Sequence, residues 1–228
     1  MTRRAGIAIV LAAVCGWAAG VLGQETPITP PQPTVPEVFT MQGQYVRVAY
    51  NNEGFVTLGY RVANQSVGEE WIVLEIGATV RAGQPPYVLK RDALSLETPD
   101  GKSVPLPSNQ AFKEADLRSL TRRSSMTPDS VNYFPPGASR PCRIGFFAET
   151  GSSAEAWDQV ELNDQSGCLG RLYFQVPGGL QYGQHWLNVR FAKSLVRVPF
   201  RILTKEEEKT FSKSWQDIKK ELDESFKK

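Results

Sequence analysis

Apolar side chains return at every second position, in one short run after another, through residues 39–203, and no other feature constrains the fold so strongly. A strand turns successive side chains to opposite faces, so runs of this period bury a common face only as sheet. The clearest pair closes the region. Residues 184–191 send Leu187, Val189 and Phe191 to one side, and residues 195–203 do the same with Val196, Val198, Phe200 and Ile202. Near the start, residues 45–50 place Val46, Val48 and Tyr50 opposite Arg47. After the turn residues Asn51, Asn52, Glu53 and Gly54, residues 55–63 align Val56, Leu58, Tyr60 and Val62. Two alternating runs around an Asn/Gly turn predict a hairpin.

Residues 71–80 form a third strand, with Ile72, Leu74, Ile76, Ala78 and Val80 on one face. Residues 87–98 read as a strand with Leu94 and Leu96 on one side. It turns at Thr98-Pro99-Asp100-Gly101, where proline presets φ, into residues 103–106. Residues 108–123 lose the alternation and set Phe112, Ala115 and Leu120 near one helical face, with Ser108 or Asn109 as the cap. Strand patterns resume at residues 131–134, 142–148, 157–162 and 169–176, the last with Leu172, Phe174 and Val176 on one side. Some eight or nine short strands with turn chemistry between them, and no strand–helix–strand repeats, predict a mainly β, antiparallel sandwich. The pattern over residues 39–203 resembles the immunoglobulin-like domains of bacterial exported proteins, which implies an immunoglobulin-like sandwich carrying a short helical insertion.

The two ends differ from this middle. Arg3 and Arg4, the apolar run 5–22 and the small residues Val21 and Gly23 make residues 1–23 a signal peptide, cut before Gln24. An uncleaved membrane anchor and a lipid on Cys15 are the competing readings, the second weakened by Val14 before that cysteine. Residues 24–38, with Pro27, Pro30, Pro31, Pro33 and Pro36, are an extended linker. Losing Arg3 and Arg4 balances the 26 basic residues against the 24 acidic ones, which argues against nucleic acid as a partner. Cleavage also leaves only Cys142 and Cys168, and in an oxidising compartment these pair as one disulfide.

Past residue 203 the period changes to that of a helix. Thr204 with Glu207 three residues on is a capping box, and Glu206, Glu207 and Glu208 suit the positive end of the helix dipole. Phe211, Trp215, Ile218 and Leu222 then fall on one stripe, so residues 204–228 form an amphipathic helix. That stripe packs on its own sandwich or meets a partner. Mixed charges on the polar side favour protein over membrane.

Little in the chain points to catalysis. His185 is the only histidine and reads as a strand residue on the polar face. The Gly-x-Ser-x-Gly nucleophile motif and a glycine-rich phosphate loop are both missing. Glu161, Asn163 and Asp164 before Gly167 have calcium-ligand chemistry but read as an Asx-rich turn. Arg118, Arg122 and Arg123 form a basic group suited to an anionic glycan or headgroup, or a solvated helix face.

The sequence therefore predicts a non-enzymatic cell-envelope or secreted protein, without cofactor or metal, docking through the Phe211/Trp215/Ile218/Leu222 stripe onto another envelope protein or a copy of itself. Contact with the membrane is confined to the export signal. A carbohydrate- or small-ligand-binding module using Tyr87, Trp157 or Tyr182 is the alternative. A hydrolase would need a concave site with converging carboxylates.

Overall fold

The computed structural model describes residues 38–148 and 155–225, with the side chains of the last helix described as far as Gln216. The predicted signal peptide and nearly all of the Pro-rich linker lie outside the described residues. The first strands are β1 (Val38–Gly43), β2 (Val46–Tyr50) and β3 (Gly54–Gly59), followed by β4 (Trp71–Val80). With β10 (Ser166–Gln175) and β8 (Arg140–Ile144) they form a six-stranded sheet ordered β1-β2-β3-β4-β10-β8. A four-stranded sheet runs β12 (Leu195–Ile202), β11 (Gly183–Arg190), β6 (Leu94–Glu97), β7 (Ser103–Pro105). A third, two-stranded sheet pairs β5 (Tyr87–Lys90) with β9 (Gln159–Leu162).

The sandwich core lies between the two larger sheets. Val56, Leu58, Ile72, Leu74, Ile76, Leu172 and Phe174 from the six-stranded sheet are buried in one cluster with Leu94, Leu96, Leu187, Val189, Val196, Val198 and Phe200 from the four-stranded one. Each such side chain contributes about 1.5–3 kcal/mol by leaving water, so the alternating runs largely select this face by themselves. The β11–β12 and β6–β7 hairpins form where expected. All described pairings are antiparallel except β8 beside β10.

Four expectations are corrected. The predicted strand 55–63 stops at Gly59, and the chain turns into a short helix, α1 (Arg61–Asn64). There the Asn64 N–H donates to the Tyr60 carbonyl at 2.9 Å and the Arg61 N–H to Asp129 Oδ2 at 2.8 Å. This bend buries the Tyr60 ring against Tyr45 and Phe200, with centroids 5.6 and 5.3 Å away, so tertiary burial overrides local β propensity. The predicted strand 87–98 is broken by a 3-10 turn at Arg91–Ala93, which sends β5 and β6 into different sheets. His185 faces inward and is fully buried, because its position has the same parity as Leu187 and Val189.

The fourth correction concerns residues 131–134, which belong to no sheet. With Asp129 and Ser130 before them they form a strap, residues 129–134, across the outer face of the six-stranded sheet, held where Thr57 Oγ1 donates to the Val131 carbonyl at 2.5 Å. Gly59, Gly77 and Gly167 leave room for it. A Cβ on Gly59 would lie 2.5 Å from Asp129 Cβ, and one on Gly167 2.5 Å from the Phe134 ring. Beside the strap, the expected helical excursion is two helices, α2 (Asn109–Glu114) and α3 (Arg118–Met126). Ser108 caps α2 by accepting the Ala111 N–H at 3.1 Å. Phe112 of α2 packs on Tyr173 and Phe147, both with ring centroids 4.8 Å away, so the outer face of the sheet is covered as well.

Candidate functional site

The C-terminal helix, α4 (Lys205–Ser225), has 21 residues and is therefore about 32 Å long. Its start follows the sequence closely. The Glu207 N–H donates to Thr204 Oγ1 at 3.2 Å, and the Thr204 N–H donates to Glu207 Oε2 at 2.9 Å, which closes the capping box. Those bonds, together with Arg201 Nη2 at 2.6 Å, hold the Glu207 carboxyl below its usual range. Asn64 fixes the strand-to-helix junction by accepting the Leu203 N–H at 2.8 Å.

From this root, α4 is bonded to the β1–β2 turn. The Tyr45 hydroxyl donates to Glu208, and Gln44 Nε2 to Ser212 Oγ at 2.7 Å. Burial and the Glu208 carboxylate both push the Tyr45 phenol up, so it stays a donor throughout the physiological range. Phe211 and Trp215 are half-buried and stand outside the hydrophobic core. Ile218 and Leu222 fall on the helix beyond the described side chains.

A second candidate, absent from the sequence reading, is a cleft of about 310 Å³ on the outer face of the six-stranded sheet. The strap forms one wall with Asp129 and Val131. Phe147, Leu169, Arg143, Arg171 and Glu75 supply much of the rest. Glu75 projects from β4 opposite Arg171 of β10, with Nε 3.7 Å from Oε1, and its Oε2 accepts the Asp129 N–H at 2.5 Å. Burial, reinforced by the nearby Asp129 charge, pushes the Glu75 carboxyl up to about 7 against the pull of that N–H and of Arg171. Burial pushes Asp129 up too, opposed by the Arg61 backbone N–H and its guanidinium, whose Nε is 3.1 Å from Oδ1.

The two acids sit in one cleft, but protein donors engage both, and through those donors they pin the strap to the sheet. The sequence did hold a signal for Glu75. It is the one charged residue in the apolar run 71–80, in a strand whose two faces are buried. Asp129 gave none, since its partner Arg61 is 68 residues away.

The remaining candidates are spread over the molecule. Cys142 and Cys168 are directly opposed on β8 and β10 and form the disulfide, with Cα atoms 4.1 Å apart. His185 is stacked on Phe200, ring centroids 5.3 Å apart, and its Nδ1 lies 3.1 Å from the Gly183 carbonyl. Burial lowers its pKa, which keeps the ring neutral and structural.

The basic group divides into separate pairs. Arg118 binds Asp116 at 2.8 Å and Arg123 binds Glu69 at 2.5 Å, while Arg122 is exposed. Asn163 Oδ1 accepts the Gln165 N–H at 3.1 Å and Asp164 Oδ2 the Gly83 N–H at 3.3 Å, so both side chains shape their turns. Among the described residues no group of three or more His, Cys, Asp or Glu side chains could hold a metal ion.

The three aromatics do not converge. Tyr87 packs on Phe191 beyond the end of β11 and Tyr182 precedes its start, while Trp157 lies near Arg143, whose guanidinium is 5.8 Å from the ring. No described helix is long and apolar enough to cross a membrane. Searches against protein-family models, curated proteins and solved structures find no match for the chain.

Proposed function

We propose that the protein is exported and acts in the cell envelope or outside the cell as a non-enzymatic interaction module that presents α4 from a disulfide-braced sandwich. The placement of α4 carries this reading. Among its described side chains, the bonds to the body come from Glu207, Glu208 and Ser212, within about its first two turns. Two large aromatics of the stripe, Phe211 within those turns and Trp215 just past them, stay outside the core. Aromatic anchors of this kind dominate interface energetics. The disulfide supports export, because such bonds persist in oxidising compartments. The immunoglobulin-like comparison belongs to this reading as well, resting on strand pattern alone.

Crosslinking in the native envelope, comparing the intact chain with one ending at Leu203, tests the role of α4. The expected outcome is a partner captured by the intact chain alone, with Trp215→Ala weakening capture by about thirtyfold or more. Equal capture by both chains would mean that α4 only completes the domain.

The cleft favours a second reading, a small-ligand module. Phe147 and Leu169 offer apolar contact beside the guanidinium groups of Arg143 and Arg171, an arrangement suited to an amphipathic carboxylate.

A further inference from the structure

Among the described residues, four strands form the outer edges of the two larger sheets: β1 and β8 in one, β12 and β7 in the other. An unpaired edge presents a row of N–H and C=O groups to any passing strand, and proteins blunt such edges with proline, charge or brevity. Three of the four are blunted. β8 contains Pro141 between Arg140 and Arg143, β12 contains Pro199 between Arg197 and Arg201, and β7 is three residues long and ends in Pro105. The small sheet carries Lys90 and Glu161.

β1 has none of these devices. Its sequence, Val-Phe-Thr-Met-Gln-Gly, contains no proline and no charge. Val38, Phe39 and Met41 are 38%, 44% and 42% exposed, which is unusual for three large apolar residues on one short strand. The only irregularity is a register shift against β2 between Met41 and Gly43, which leaves residues 38–41 in regular pairing.

We propose that β1 is a self-association edge, on which a second copy of the chain lays its own β1 antiparallel and joins the two six-stranded sheets into one. Symmetry makes a second copy the fitting occupant. A two-fold antiparallel pairing sets the residue on its axis opposite its own copy and the others opposite residues equidistant from the axis, so a charge at the centre of β1 would face a like charge. Residues 38–43 carry none.

Parity narrows the register. Directly opposed residues share a face, so positions of like parity must pair. Centring on Thr40 sets Phe39 opposite Met41 of the second copy, twice over, and Thr40 opposite Thr40. Aromatic–apolar and Thr–Thr pairs are both favourable across strands. The inference does not rest on the docking role of α4.

The test is analytical ultracentrifugation of the protein, exported from its full-length gene, over a micromolar concentration series. The wild type is expected to show a monomer–dimer equilibrium. Thr40→Lys and Thr40→Glu, at an exposed position, should each weaken association by about tenfold or more, because like charges then meet on the axis. An equimolar mixture of the two variants should recover the dimer, which a folding defect could not do. A wild type that stays monomeric, variants that dimerise like the wild type, or a mixture that stays monomeric would each overturn the pairing. A complex that depends on β1 but contains a different protein would instead make the edge a site for a foreign strand.

Discussion

The two faces of the six-stranded sheet are covered by different means. Toward the four-stranded sheet the surface is aliphatic and aromatic: Val56, Leu58, Ile72, Leu74, Leu172 and Phe174 bury without any polar partner. Toward the strap and the helices the same strands present Thr57, Glu75 and Arg171, with Gly59, Gly77 and Gly167 as gaps. The first face is held by area alone and needs no particular partner. Under the strap the second is held by particular bonds, Thr57 to Val131 and Glu75 to Asp129, and by the absence of Cβ atoms along its path, while Phe112 on Phe147 and Tyr173 covers the part beneath α2. Loss of one contact therefore has different consequences on the two sides.

The largest effect belongs to the inner face. Phe174 has no exposed surface and pairs with Ile72. Phe174→Ala should cost about 3–5 kcal/mol of global stability, read as a shift in the denaturant midpoint with one cooperative transition. Hydrogen exchange in the strap should then rise only in step with the rest of the sandwich. A strap that opens selectively in this variant would break the distinction between the faces.

Protonation comes next, because the outer face contains a buried acid. The Glu75 carboxyl is raised from 4.5 to about 7 in the folded state. Between those values the folded chain holds a proton that the unfolded chain has released, so stability is fully present below about 4.5 and falls as pH rises toward 7. The full effect is at most about 3.5 kcal/mol, at roughly 1.4 kcal/mol per unit. His185 works in the opposite sense. Its lowered pKa gives stability that is present above 6.5 and is lost as pH falls below that value. Glu75→Gln separates the two, since the amide oxygen still accepts the Asp129 N–H and no longer titrates. The variant should match the wild type near pH 4.5 and exceed it in thermal melts at pH 8. Parallel pH profiles would show that Glu75 is not held near neutrality.

The contrast between faces also explains what could be read from the chain. Period-two runs identify inner-face residues directly, which is why β4, β10, β11 and β12 lie close to their expected positions. Local chemistry was equally readable: Thr204 and Glu207 close the capping box, and Cys142 and Cys168 are cross-strand neighbours. The parity that sends Leu187 and Val189 inward also sends His185 inward, so that residue was misplaced by its polarity rather than by its position. The strap, the bend at Tyr60 and the Glu75–Asp129 cleft depend on partners 54 to 74 residues apart. No periodicity encodes such contacts. The glycines of the outer face were the available trace, and a glycine in a strand signals close approach of another backbone.

Gly77 is the sharpest probe of that outer face. A Cβ there would come 2.3 Å from Thr57 Oγ1, 2.7 Å from the Val131 carbonyl and 2.8 Å from the Phe134 ring. Two of these atoms form the hydrogen bond that holds the strap, so one methyl group strikes the latch from beneath. β4 cannot yield, because it is paired on both sides and its Ile76 and Ala78 are fully buried on the inner face. The strap is the element that must move. Gly77→Ala should therefore cost about 1–3 kcal/mol, the usual range for an overpacked site. Amide exchange should quicken at residues 129–134 by more than the global loss explains, while β11 and β12 keep their native ratio of protection. Uniform loss of protection across both sheets would mean that the strap is part of the core rather than a latched cover.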